Sequence, residues 1–179
     1  GEASNEFDID SQYSGSGTLT VSSGNLLNNY IIETIGDLLL NTVTAGADVI
    51  TFITVPTGSI FNGAAAGDFN VTSGKTKLFA SNQIGTASKP LTMKVSGLEG
   101  TATTGGVWIS NKGAMTAGQV TNSETAIYSG GDTVITTASP LTFASNVDIA
   151  GTFTAIASDS SNPGDDLVAN AGITFVSHD

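Results

Sequence analysis

Apolar and polar residues alternate along this chain in short runs, each broken before a helical period can build up. The clear runs are 17–22 (GTLTVS), 36–42 (GDLLLNT), 48–54 (DVITFIT), 67–72 (GDFNVT), 75–80 (KTKLFA) and 91–98 (LTMKVSGL). They continue with 106–110, 125–129, 131–136, 140–144, 146–150, 151–157 and 172–177. Each run has the length of an ordinary strand, and Gly, Asn, Asp or Ser separates it from the next. No window keeps a 3.6-residue apolar period between caps. The nearest is 25–40, but Gly36 and the β-branched Ile31, Ile32, Thr34 and Ile35 favour strands there. The expected fold class is all-β.

Recurrence sharpens this expectation. Strand starts at Gly131, Gly151 and Gly172 follow one another at short, similar intervals. Ser-Pro-Leu-Thr-Phe at Ser139 echoes Lys-Pro-Leu-Thr-Met at Lys89, and Gly-Asp openings recur at Gly36, Gly67, Gly131 and Gly164. A period of roughly 20 residues holding two or three short strands is the mark of a solenoid, whose coils bury their apolar faces only by stacking. The pattern predicts a right-handed parallel β-helix (β-solenoid) of about nine ~20-residue coils, with rows of Val, Ile, Leu and Phe as its core. A β-sandwich or pilin-like jelly roll is the alternative, because strands every 8–12 residues also fit two packed sheets. The solenoid is expected to form one domain or one unit of a longer array, less regular over 1–80 and regular over 82–179.

Composition narrows the function classes. Sixteen acidic residues face five Lys and no Arg, for a net charge of −11. Nucleic-acid binding depends on cations that neutralise phosphates, so this balance argues against it, and equally against anionic membrane surfaces. Apolar residues make up 39% of the chain, which argues against disorder. There is no Cys, so disulfides and thiolate metal sites are excluded. No apolar run approaches membrane-spanning length, and none reads as a signal peptide. An export signal upstream of Gly1, removed or belonging to a longer precursor, is the expectation.

Residues 82–118 read NQIGTASKPLTMKVSGLEGTATTGGVWISNKGAMTAG. This stretch resembles the filamentous-haemagglutinin-like repeat modules of giant bacterial surface and adhesin proteins. Asn82, Ile84, Gly85, Thr86, Pro90 and Leu91 carry the first half of the resemblance. Gly105, Gly106, Trp108, Ile109, Ser110, Asn111 and Thr116 carry the second. Residues 159–179 look like a coil of the same arrays, whereas 1–80 match only loosely. The longer apolar runs at 30–40 leave open a wider coil, an inserted hairpin or a capping element. The resemblance implies a right-handed parallel β-helix exported to the cell exterior.

Candidate chemistry is sparse. The one histidine, His178, sits beside the C-terminal residue, so a Ser–His–Asp arrangement has nothing central to build on. The Gly-rich pieces 15–17 and 63–67 lack the Lys-Ser/Thr of a phosphate loop. Asp8 and Asp10 fall on one face if their segment is a strand, as a solvated polar face, a weak cation site or a glycosidase-like pair. Asp159, Asp165 and Asp166 lie in an Asp/Ser/Asn/Pro/Gly cluster that reads either as a plain turn or as a hard-cation loop for Ca²⁺. It lacks the spacing of an EF-hand. Thr-x-Thr pairs at Thr18/Thr20, Thr42/Thr44, Thr101/Thr103 and Thr152/Thr154 have no constant period, so an ice-binding ladder is not expected. Trp108 is either a core aromatic or a sugar-stacking residue, and its flanking Val107 and Ile109 lie on the opposite face either way.

The expected function is therefore structural and not enzymatic: an extracellular rod or spacer of a bacterial surface adhesin, or the repeating unit of a fibre. A polysaccharide-binding or polysaccharide-active β-helix is the alternative, with glycans as possible partners. Neither end carries the signals of a cap. Joining Asp179 to Gly1 would make an Asp-Gly turn and continue the coil pattern. Copies, or neighbouring repeats, are therefore expected to stack head to tail, with Phe7 and Ile9 of one unit meeting Phe175 and Val176 of the next.

Overall fold

The computed structural model describes residues 6–9, 18–24, 28–158 and 166–178. Among them every regular element is a strand, and every strand pairing is parallel. The strands stack into two sheets, of eleven and eight strands, that wind around one apolar interior as a β-solenoid. No antiparallel sandwich is present among the described residues.

In the first sheet β1 (Glu6–Ile9), β3 (Asn29–Glu33), β5 (Ile50–Val55), β8 (Lys75–Ala80) and β10 (Gly97–Ala102) lie side by side. In the second run β2 (Leu19–Ser22), β4 (Leu38–Thr44), β6 (Ile60–Asn62), β7 (Val71–Thr72), β9 (Leu91–Lys94), β11 (Val107–Asn111), β14 (Thr133–Thr137) and β17 (Phe153–Ala157). Beyond β10 the first sheet continues as two columns. One is β12 (Met115–Ala117), β15 (Leu141–Phe143) and β18 (Leu167–Ala169). The other is β13 (Thr125–Ser129), β16 (Asn146–Ile149) and β19 (Phe175–Ser177).

The solenoid has about six turns. This corrects the expectation of nine. Register partners run Ile31, Ile53, Leu78, Gly100, Ile127, Val147 and Phe175, so along this column one lap takes between 20 and 28 residues. The 20-residue lap occurs where Ile127 pairs with Val147 and Thr133 with Phe153. Elsewhere along the column corner loops lengthen the lap without adding height, and a fixed chain then makes fewer coils. The Pro-Leu-Thr echo is likewise no stacking repeat, because Leu91 lies in the second sheet and Leu141 in the first. The expected single strand over 91–98 is broken at Val95–Ser96 into β9 and β10, one on each sheet. The apolar run at 30–40 forms β3 and β4 on different sheets, with a corner at Gly36.

The interior holds the expected rows. Ile31, Ile53 and Leu78 stack in one, and Val43, Val71 and Met93 in another, all fully buried. Strand alternation delivers them, since every second side chain points inward. The interior also contains a polar row, Asn29–Thr51–Thr76. Asn29 donates to the Thr51 hydroxyl at 3.4 Å, and Ser73 and Thr76 share a 2.9 Å hydrogen bond.

Each sheet forks once, and a buried polar side chain stitches each fork. In the second sheet β4 pairs with both β6 and β7. The intervening segment brings Asn70, fully buried, against the strand it interrupts. Its Nδ2 donates to the carbonyls of Leu40 (2.7 Å) and Asn41 (3.1 Å) and to Asn62 Oδ1 (3.1 Å). Its Oδ1 accepts from the Thr92 N–H (2.9 Å) and hydroxyl (3.1 Å). One side chain thereby ties three coils together.

In the first sheet β10 pairs with both β12 and β13. The connecting segment 118–124 folds over Glu99, an outward-facing residue that is nonetheless only 2% exposed. The Glu99 carboxylate accepts from the N–H groups of Val120 and Thr121 at 3.1 and 2.9 Å and from the Thr121 hydroxyl at 2.7 Å. Lys77 Nζ lies 3.1 Å away, and Lys75 Nζ donates to the Gln119 carbonyl at 2.8 Å. Burial pushes the Glu99 carboxyl up, but the Thr121 donors and Lys77 together outweigh it and hold the group below the ordinary glutamate range. A carboxyl with a depressed folded pKa stabilises the fold above its unfolded pKa, and that contribution is lost as the pH falls through the folded value. Glu99→Ala should cost about 2–3 kcal/mol, since it orphans buried donors. In Glu99→Gln the acid-induced loosening of 118–124 should shrink. Amide hydrogen exchange at Val120 and Thr121 between neutral and acidic pH measures both effects. Unchanged protection in Glu99→Ala would show that the carboxylate does not hold this segment.

Candidate assembly surfaces and outward faces

The corners are built by close backbone approach. Gly36, Gly58, Asn82, Gly105, Gly131 and Gly151 follow one another up one edge of the solenoid, and from Gly58 onward each meets the coil before it. The Asn82 N–H donates to the Gly58 carbonyl at 2.9 Å, and the Gly105 N–H to the Asn82 carbonyl at 2.9 Å. Several residues of the family-like segment fill such places. Ile84 is fully buried and bridges Ile60 and Val107, Gly85 has φ 67°, Leu91 is core, and Asn111 caps the corner at Val95.

The C-terminal coil leaves the core open. Leu167 stacks on the fully buried Leu141, and Phe175 on the buried Val147, yet Leu167 is 55% exposed and Phe175 44%. Both continue inward-facing columns, and no described strand lies beyond them. Phe175 closes an aromatic trio, with ring centroids 5.1 Å from Phe143 and 6.0 Å from Phe153. In the second sheet β17 is the last described strand, and Phe153, Ala155 and Ala157 are only partly buried there. His178 Nε2 lies 3.0 Å from Asp148 Oδ1 on the outer surface.

At the other end β1 pairs only with β3 among the described residues. Phe7 is in register with Ile31, and therefore heads the same column that ends at Phe175. Val176 belongs to the neighbouring column through Asp148, Tyr128, Thr101, Phe79, Thr54 and Ile32, which is headed by Asp8. Ile9 pairs with Glu33.

Other sequence-derived candidates are scattered. Asp166 is exposed, and its carbonyl accepts from the Leu141 N–H at 3.1 Å; Asp159 and Asp165 lie outside the described residues. Among the described residues no three His, Cys, Asp or Glu side chains gather as a metal site would require. Asp8 is in register with Ile32, and Asp10 lies outside the described residues. Thr101 is on the first sheet and Thr154 on the second, whereas Thr44 and Thr72 stack only as far as Lys94. The described Thr residues thus form no continuous ladder.

Trp108 faces outward from β11, with Val107 and Ile109 in the core. It borders a cavity of about 270 Å³ shared with Pro90 and Val134. Two other outward aromatics, Tyr30 and Phe52, stack face to face on β3 and β5 at 4.7 Å. Asn70 and Glu99, the two fork residues, carry no signal in the sequence beyond being single polar residues near apolar runs. No protein-family model, curated protein or solved structure matches the chain.

Proposed function

We propose that the chain is a structural, non-catalytic module, a rod or spacer segment of an extracellular bacterial adhesin of the filamentous-haemagglutinin-like kind. Its coils are continued head to tail by the coils of neighbouring repeats or of further copies. The observation that carries this reading is the uncovered core of the last coil. Full burial of a Leu or Phe side chain contributes roughly 1.5–3 kcal/mol, and about half of that is still to be gained at Leu167 and Phe175. No described strand lies beyond β19, so its backbone edge adds a template for another strand. The register supports a matching partner, because Phe7 and Phe175 stand at opposite ends of one column, and a head-to-tail stack would place them in adjacent layers. A heterologous contact of this kind extends without closing and gives a fibre.

Electron microscopy of the concentrated protein should show thin fibres. The longest column is eight strands deep, so at ~4.8 Å per layer the axial repeat should be roughly 38 Å. Phe175→Pro removes an outward-pointing edge N–H donor together with the half-exposed ring, and should shift the material to monomer while leaving circular dichroism unchanged. A protein that stays monomeric at millimolar concentration would refute stacking between copies and restrict the reading to a spacer within one polypeptide.

A further inference from the structure

We infer that the cavity beside Trp108 is a subsite for one neutral pyranose ring of a glycan. The indole stands on the outward face of β11 and is fixed from below. A Cβ at Gly106 would overlap the Trp108 ring and the Asp132 carbonyl, so the ring lies directly on that glycine. The facing wall is Ala87 and Pro90, carried on a turn that holds its own shape. Thr86 and Lys89 exchange backbone hydrogen bonds of 3.1 and 3.2 Å, and the Lys89 N–H also donates to the Thr86 hydroxyl at 2.9 Å. Wall and indole are thus both set before any ligand arrives, which removes part of the ordering cost of binding.

Three features select the ligand. The cavity of about 270 Å³ lies just under the range of about 300–1,000 Å³ for drug-sized ligands, so it suits a single ring. Its polar groups are hydroxyls: Ser110 and Thr136 are register partners on β11 and β14 and line the cavity beside Val134. An aromatic face with hydroxyls alongside fits a ring that is apolar on one face and bears hydroxyls at its edge. No ionisable side chain lines it, and the chain carries −11 overall. Nothing there would neutralise a uronate or a sulfated sugar, so the class is neutral. The cavity lies on the flank of the second sheet and not at an end, so its occupancy is independent of head-to-tail stacking.

Trp108 is the only tryptophan of the chain, so its fluorescence reports this one place. The probes are the methyl glycosides of glucose, galactose, mannose and N-acetylglucosamine, with methyl glucuronide as the charged comparison. At least one neutral glycoside should change Trp108 emission saturably, with Kd of about 1–10 mM, as expected for a dozen heavy atoms at modest efficiency. Thr136→Tyr should fill the cavity and abolish the response. The double variant Ser110→Ala/Thr136→Val keeps the shape, should weaken binding about tenfold, and serves if Thr136→Tyr does not fold. The proposal is overturned by any of three results: no saturable change with any neutral glycoside up to about 100 mM, an undiminished response in the folded variants, or methyl glucuronide binding as tightly as the neutral probes.

Discussion

Replacing Gly58 with alanine should destabilise the solenoid by about 3 kcal/mol or more, the upper end of what overpacking costs. A Cβ at this position would overlap the carbonyl group of Gly36 in the coil below. The obstacle is backbone, so no rotamer change relieves it. Opening the corner would also strain the hydrogen bond from the Asn82 N–H to the Gly58 carbonyl, and with it the link to the coil above. Gly36→Ala is the informative comparison. Gly36 has φ 91°, but nothing lies within 4 Å of its missing Cβ. Its substitution meets conformational strain alone, about 1–2 kcal/mol. Urea unfolding of the two variants should therefore rank Gly58→Ala well below Gly36→Ala in midpoint. The reverse order would mean that the corners yield and that close stacking does not hold this edge together.

Asn70→Leu should cost about 3–5 kcal/mol, although leucine is close to asparagine in size and more apolar. Leucine cannot supply the donors that serve the carbonyls of Leu40 and Asn41, nor the acceptor for the Thr92 N–H. Each buried group left without a partner costs roughly 1–3 kcal/mol, and the Gly63 N–H still serves the Leu40 carbonyl, which limits the total. Asn70→Asp tests the donor half of the side chain by pH. At neutral pH it sets a charged acceptor against the oxygens of Leu40, Asn41 and Asn62, which the amide nitrogen of Asn70 now serves. On acidification the protonated carboxyl regains one donor. Its deficit in thermal unfolding relative to wild type should therefore shrink from neutral to mildly acidic pH. Asn70→Leu melting with wild type would show that the fork is held by its apolar neighbours alone.

Much of the architecture was legible in local sequence. Strand content followed from β-branched alternation punctuated by Gly and Asn, and β8 and β13 fall on the residues that the alternation marks. Of the three-residue strands, β15 and β19 lie inside longer alternating runs and were legible, whereas β6, β12 and β18 were not, because a segment that short without such flanks carries less than two periods of alternation. Parallel stacking followed from apolar runs that could be buried only against others like themselves. That Phe7 and Phe175 belong to one column emerged only from the register of the wound chain.

What the sequence alone determined was the side-chain alternation and the solenoid class, because both rest on interactions within a strand or between like strands. Tertiary structure decided the number of coils, since corner loops set the length of a lap and nothing local records which residue lies one layer down. It also decided that Leu91 and Leu141 sit on different sheets despite their matching neighbours. Trp108 shows the same division. Alternation put it opposite Val107 and Ile109, but only the closed coil shows which of those faces is the interior. Glu99 is the sharpest case. Its strand position faces outward, and it is buried because a segment some twenty residues further along folds back to use its carboxylate. Burial of that kind depends on contacts distant in sequence, and those exist only once the chain has wound.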